Sequence, residues 1–257
     1  MISGWESYFL DLITLGTAQA IVFGIIVFFA GIVRGCIGFG FSALVVVSAT
    51  QFVEPTQVVP LVVLLEIAAS VQMAVRAWRD VRWDTLGFML VGVMVGTPIG
   101  IWVLAATPAS TLRLVLSLLI LTMTAVLGAG YVYRGPMSRP VLSGVGVVSG
   151  VFNGIAAIGG MPVAIFLTSA KLPIRAVRAT MVVFFLFTEL AFLISGVIGK
   201  LYHAAIINSF LLACLPMAVG LALGGRLFGR LDERMLRRIV LAVLFALAAV
   251  GVLRAIF

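Results

Sequence analysis

Long apolar runs separated by short polar joints dominate this chain. A helix that crosses a bilayer needs roughly 20 mostly apolar residues, and the sequence offers about eight to ten such runs. Hydrophobic residues make up 63% of the chain and charged residues 10%, a ratio that no water-soluble surface accommodates. We therefore predict an all-α polytopic membrane protein whose solvent is the lipid bilayer, with almost no room for a soluble domain.

The charge balance is strongly basic, with 17 Lys and Arg against 9 Asp and Glu. Because the basic residues sit in the joints between apolar runs, they indicate membrane topology and not nucleic-acid binding. The joints that mark the cytoplasmic side are 76–82, 171–178 and 226–238, together with Arg134 and Arg139. Tracing the spans between them places both termini in the periplasm. Residues 1–11 carry two acids and no Lys or Arg, so the first apolar run is predicted to be a permanent helix and not a cleavable signal peptide.

Glycine and proline blocks recur in the same order in the two halves of the chain, which indicates a duplicated unit. The blocks of the first half are Gly31-x-x-x-Gly35 with Gly38-Phe39-Gly40, then Pro55, then Gly96-x-x-x-Gly100 with Leu112-Arg113; those of the second half are Gly150-x-x-x-Gly154 with Gly159-Gly160, then Pro173, then Gly220-x-x-x-Gly224 with Leu236-Arg237. Chance matching is the alternative, because glycine pairs are common in membrane helices. The shared order argues against it, so we predict two membrane repeats, residues 1–133 and 134–257, within one membrane domain.

Each repeat is predicted to contain a broken, re-entrant hairpin followed by three transmembrane helices. In the first repeat these are a helix over 12–33, an interruption over 34–40, an arm to 53 and spans near 58–75, 85–105 and 111–133; in the second they are a hairpin over 141–170 and spans near 179–199, 204–227 and 235–257. At roughly 30 residues, the second hairpin is too short to cross the bilayer twice. In the topology inferred from the basic joints, the first full span crosses inward in the first repeat and outward in the second. The repeats are therefore predicted to be inverted. Secondary transporters of that plan place their site near the midplane at the repeat interface.

The two hairpins supply the candidate substrate-binding groups. Closely spaced glycines permit unwound backbone, and the freed N–H groups at the start of a short helix favour an anion. Arg34 adds a full positive charge and donors that suit an oxyanion, and Asn153 is the donor at the pseudo-equivalent position. The predicted substrate-binding residues are Arg34, Gly35, Cys36, Gly38, Gly40, Asn153, Gly154, Gly159 and Gly160. The alternative is that Arg34 ends the first helix at the cytoplasmic surface and that the glycines serve helix packing.

Two carboxylates, Glu66 and Glu189, each fall about ten residues into an apolar span at matching positions of the repeats. They are the candidates for carrying a proton with the substrate; a structural hydrogen bond between helices is the alternative. Cys36 beside the first break either touches the substrate or fills space next to glycines. Cys36 and Cys214 lie far apart in a chain with one His, so no metal site, disulfide or cofactor is predicted.

At these residues the chain resembles the sulfite exporter TauE/SafE family, also called TSUP. The likeness rests on the two glycine-rich hairpins, on the proline after each short arm and on the later glycine and Leu-Arg blocks, and it covers essentially the whole chain. In the first hairpin, Gly38-Phe39-Gly40-Phe41 departs from the longer glycine run that is common in the family. The resemblance implies a location in the bacterial inner membrane and transport of small sulfur-containing anions such as sulfite, sulfoacetate and related sulfonates.

We therefore predict a secondary transporter that binds a small anion between the hairpins. Export is the direction that the resemblance implies. Protons are a candidate coupling ion, and pairing of two copies of the chain stays open. A passive anion channel on the same scaffold is the alternative. A membrane enzyme is disfavoured, because the sequence shows no metal-ligand cluster and no nucleophile beside a base. No nucleotide-binding Gly-x-x-x-x-Gly-Lys-Ser/Thr pattern appears either.

Overall fold

The structure is a computed structural model that describes residues 17–131, 133–169, 172–227 and 233–256. Within those ranges the chain forms ten α-helices and one short 3-10 helix, Trp78–Asp80. The helices are α1 (Thr17–Ile37), α2 (Phe41–Ala49), α3 (Pro55–Ala77), α4 (Trp83–Ala106), α5 (Ala109–Gly128), α6 (Arg139–Ala156), α7 (Gly160–Ser169), α8 (Ile174–Ile198), α9 (Ala204–Leu227) and α10 (Glu233–Ile256).

Six of the described helices, α1, α3, α4, α5, α8 and α9, are long and apolar enough to cross a membrane. The prediction of an all-α polytopic membrane protein is confirmed, and the predicted spans agree with the observed helices to within a few residues. Predicted ends at residues 12, 170 and 257 lie outside the described residues, as do Lys171 and Arg230 of the basic joints.

Proline starts the corresponding long helix in each half. Pro55 is the first residue of α3, and Pro173 immediately precedes α8. Proline is favourable at a helix start because its fixed φ is helical and the missing N–H would have no partner there. The two prolines that the sequence matched therefore both lie at the start of a long helix, Pro55 as its first residue and Pro173 as the residue that caps it.

The first hairpin breaks later than the sequence predicted. The interruption was expected over 34–40, but α1 continues to Ile37, and the N–H of Gly38 donates to the carbonyl of Arg34 at 2.8 Å. Residues 38–40 lie outside the helices, and Gly38 and Gly40 have φ of 91° and 94°, which are inexpensive only for glycine. Arg34 is therefore the last-turn residue of a regular helix and not part of an unwound tip.

The second arm of each hairpin is short. Helix α2 has 9 residues and α7 has 10, so each is about 14–15 Å long, half of the roughly 30 Å of the hydrocarbon core. Between α6 and α7 the chain turns at Ala157, whose φ is 54°. Neither short arm can cross a bilayer alone, and the re-entrant placement of the hairpins stays a prediction.

Helix α1 of the first half packs against α9 of the second half through glycines. A Cβ atom at Gly31 would lie 2.9 Å from the carbonyl oxygen of Met217, and one at Gly35 would lie 2.5 Å from that of Leu221. The facing helix contributes its own pair, Gly220 and Gly224. Backbones approach this closely only where both surfaces lack side chains.

Helix α6 of the second half packs against α4 of the first half in the same way. A Cβ atom at Gly154 would lie 2.7 Å from the Cα of Gly100, and one at Gly150 would lie 2.9 Å from the carbonyl oxygen of Val93. The first glycine pair of each half thus packs against the second glycine pair of the other half. Such reciprocal packing is expected of two similar units. The repeat boundaries and the inversion of the repeats stay predictions.

Candidate functional site

Arg34 lies in the last turn of α1 and is fully buried, with 0% of the residue exposed. Its Nη2 atom lies 2.9 Å from Oε2 of Glu66 and donates to Oγ of Ser70 at 2.9 Å, and Nη1 donates to Oε1 of Glu66 at 3.4 Å. The guanidinium carbon lies 4.3 Å from the ring centroid of Phe185, which is a cation–π contact. Arg34 therefore does not end α1 at the protein surface.

Glu66 receives donors from both arms of the first hairpin. It lies halfway along α3, is 0% exposed and accepts a hydrogen bond from Oγ of Ser42 at 2.5 Å. Ser42 is in the first turn of α2, directly after the break at Gly38 and Gly40. The break thus folds α2 back along α1, so that Ser42 and Arg34 meet the same carboxylate.

The second half holds a matching pair. Asn153 of α6 donates through Nδ2 to Oε2 of Glu189 at 3.2 Å, and Glu189 lies in the middle of α8 with 0% exposure. The N–H of Gly159, in the turn between α6 and α7, donates to Oδ1 of Asn153 at 3.4 Å, and Ser149 Oγ donates to the carbonyl of Gly159. Hairpin donor and mid-helix carboxylate are paired in both halves, but the donor is charged only in the first.

Phe185 joins the two pairs across the halves. Its ring contacts the Arg34 guanidinium and also occupies the space that a Cβ at Gly160 would need. Glu189 lies within electrostatic range of both Arg34 and Glu66. One guanidinium and two carboxyl groups therefore form a single buried cluster, here called the Arg34 cluster, in which the carboxyl groups outnumber the cation.

Three of the predicted site residues contact other helices of the protein. Gly35 packs against α9 and Gly154 against α4 through their backbones. Cys36 is 4% exposed and donates through Sγ to the carbonyl of Gly224 at 3.2 Å. The structure brings Arg34 into one cluster with Asn153 and both carboxylates, while these three neighbours line helix–helix contacts.

The sequence analysis did not identify four residues of the site, which are Ser42, Ser70, Arg178 and Phe185. Ser70 is one turn after Glu66 on α3, and Phe185 is one turn before Glu189 on α8, so helical spacing from each carboxylate was a usable signal. Ser42 had no comparable signal, because its position depends on how the hairpin folds back. Arg178, read as a topology residue, donates to the carbonyl of Gly35 at 2.9 Å and lies against Gly38.

Arg34 is the group of the cluster with donors for an anion, and the described residues offer no set of metal ligands. Among the described residues, no group of three or more His, Cys, Asp and Glu is placed to bind a metal ion. An arginine that binds a carboxylate through both terminal nitrogens presents the geometry that a sulfonate or sulfite also accepts. The chemistry available is therefore exchange of one anionic partner of Arg34 for another.

Long apolar helices around a buried arginine–carboxylate pair define a polytopic membrane protein with an ion pair in its interior. The chain belongs to the sulfite exporter TauE/SafE family, whose family model matches residues 23–250. Comparison with curated proteins and with solved structures finds no match. The chain is thus a multi-pass membrane transporter of the sulfite or anion class, which confirms the resemblance seen in the sequence.

Proposed function

We propose that the chain is a secondary transporter that exports small sulfur-containing anions, such as sulfite, sulfoacetate or other sulfonates. The observation that carries this proposal is the burial of Arg34, which is 0% exposed and bound to Glu66 halfway along α3. An ionisable residue inside a membrane protein marks a substrate or ion pathway by default. The proposed setting is the bacterial inner membrane, with both termini in the periplasm.

The substrate binds at the Arg34 cluster by replacing Glu66 as the partner of Arg34. Sulfite and sulfonate oxygens accept the same paired N–H donors as a carboxylate. Asn153 is the proposed neutral donor from the second hairpin. The N–H groups at the breaks, beside Gly40 and Gly160, are the proposed backbone donors, because the start of a helix favours negative charge.

A proton travels with the anion to balance the buried charge. Arg34 and Glu66 together are neutral, so an incoming anion leaves one negative charge in excess, and burying an uncompensated charge costs several kcal/mol. Protonation of Glu66 as it leaves Arg34 restores neutrality. Oε1 of Glu189, which lacks a hydrogen-bond partner among the described residues, is the second proposed proton carrier. A protonated carboxyl there would donate to the substrate.

Burial favours a transporter over the passive channel. An open channel exposes its selectivity residues to a water-filled pore, whereas Arg34, Glu66, Asn153 and Glu189 are each 0% exposed. This burial supports an occluded site, which the substrate reaches from either side only when the helices move. Alternating access by one helix bundle against another is how secondary transporters with a midplane site work.

Binding to purified protein tests the substrate class and the site together. A panel of sulfite, sulfoacetate, thiosulfate, taurine and lactate is titrated against the wild type, Arg34→Ala and Asn153→Ala. Arg113→Ala is the matched control, because Arg113 also pairs with a carboxylate, Glu54 at 3.5 Å, but both side chains are exposed. We expect sulfite or a sulfonate to bind best, Arg34→Ala to abolish binding and the control to bind normally. Equal binding by all variants would remove the hairpins from the mechanism.

Flux measurements in proteoliposomes separate the coupled transporter from the channel. We expect uphill movement of the bound anion to require a proton gradient that runs downhill in the same direction and to stop when the gradient is dissipated. Glu66→Gln is expected to leave downhill exchange slow and gradient-independent, because the carboxylate that takes up the proton is gone. Uphill transport that continues without a gradient would refute proton coupling, and flux at channel rates would favour the alternative.

A further inference from the structure

A lateral groove on the outside of the helix bundle carries the features of a lipid site. The groove has a volume of about 440 Å³ and lies between the carboxyl-terminal part of α5 and the amino-terminal part of α10. Its walls are Ala125 and Gly128 on one helix and Leu241, Ala242 and Phe245 on the other. The residues from α10 span two turns of one helix face, so the groove runs about 10 Å along the helix.

Arg238 supplies a positive charge at one end of this groove. It is exposed, and among the described residues no hydrogen bond or ion pair engages it. Exposed Arg134 follows α5 and exposed Arg226 ends α9, so cations gather at the end of the bundle where α5 ends and α10 begins. Basic residues next to apolar helix surfaces attract anionic lipid headgroups.

Thr124 supplies a hydrogen-bonding group within the groove wall. It is 2% exposed, lines the groove and has a hydroxyl without a partner. Thr50 and Thr188, which are also buried, donate to the carbonyls four residues earlier, to Val46 at 2.7 Å and Phe184 at 2.7 Å. A buried hydroxyl without such a bond is unfavourable, so an external acceptor at the groove would satisfy it.

We propose that this groove binds one glycerophospholipid with an anionic headgroup. The phosphate pairs with Arg238, a lipid ester or phosphate oxygen accepts from Thr124, and an acyl chain lies along Ala242 and Phe245. An acyl chain suits these walls because they are apolar, and an anionic headgroup suits the charge at their end. The site is separate from the Arg34 cluster and does not depend on the proposed transport mechanism.

Native mass spectrometry of the full chain in detergent tests the headgroup. The delipidated protein is titrated with phosphatidylglycerol or phosphatidylcholine, and the affinity of the first bound lipid is measured. We expect phosphatidylglycerol to bind about fivefold more tightly, since one arginine near an anionic lipid contributes about that factor. Arg238→Gln is expected to abolish this preference. Arg254→Gln, an exposed arginine at the other end of α10, is the matched control and should retain it.

Groove-filling variants test where the chain of the lipid lies. Ala242→Phe is expected to abolish first-lipid binding of both lipids, while Ala246→Phe, exposed on α10 outside the groove lining, should leave it unchanged. Inorganic phosphate in excess should not displace the lipid, because the acyl chain holds it. Equal affinity for the two lipids, a preference that survives Arg238→Gln, or displacement by phosphate would overturn the proposal. The proposal would also be overturned if the protein were a dimer that Ala242→Phe dissociated without loss of bound lipid. The groove would then be a contact between two copies of the chain.

Discussion

The buried pair of Arg34 and Glu66 is the interaction whose removal should most affect stability. Glu66→Gln removes the carboxylate that lies 2.9 Å from the guanidinium and leaves a cation that is 0% exposed beside Ser70 and Phe185. Removing one partner of a buried pair costs about 3–5 kcal/mol, because the other charge stays buried without compensation. Arg34→Gln should cost a similar amount, since Glu66 then keeps the hydroxyl of Ser42 but no positive charge.

The double variant Arg34→Gln/Glu66→Gln should recover most of this loss. Both charges are then absent, and replacing a buried pair with neutral groups of similar size is often neutral or stabilising. The coupling energy of the double-mutant cycle is therefore expected to be at least about 3 kcal/mol. The double variant should nevertheless fail to bind sulfite or a sulfonate, which separates the site's role in binding from its role in stability.

Reversible unfolding of the purified protein in detergent gives the free energies for this cycle. The pair of Arg113 and Glu54 is the matched control, since its side chains are 40% and 51% exposed and 3.5 Å apart. A surface pair of this kind contributes about 0–1 kcal/mol. If Glu66→Gln alone changes the free energy of unfolding no more than Glu54→Gln does, the buried pair is not an ion pair and the reasoning about buried charge fails.

Two glycine substitutions test other parts of the structure. Gly160→Ala places a methyl group where the Phe185 ring lies, so we expect the ring to move. Anion binding should then fall by at least about tenfold, roughly 1.4 kcal/mol. Unchanged binding would mean that the ring does not hold the hairpins together. Gly96→Leu forces a side chain into the backbone of Val147 and should destabilise the protein by about 1–3 kcal/mol or more in detergent unfolding. Gly87→Leu is the control and should change stability little, because a Cβ at Gly87 meets nothing within 4 Å. Equal effects of the two substitutions would contradict the close packing of α4 on α6.

The helices and their order were readable from the sequence because lipid leaves the backbone few choices. Every backbone polar group in the hydrocarbon must be paired within the protein, so an apolar run of sufficient length is a helix. Helix α9 was predicted at the residues where it occurs, 204–227. The carboxylates were also found, since Glu66 and Glu189 are conspicuous in apolar runs, and so was the arginine before the first glycine break.

Tertiary structure decided what those residues contact. Glycines at a spacing of four predict a smooth helix face but not the partner of that face, and only the packed helices show that Gly35 meets α9 and Gly154 meets α4. The same holds for Arg34, which the sequence placed in an unwound tip with its charge free for a ligand. Its helix continues one turn further, and the return of α2 after Gly40 brings Ser42 to the carboxylate that Arg34 binds. Periodicity and hydropathy are local properties of a chain, whereas the partner of a buried charge is set by residues that are distant in sequence and adjacent in space.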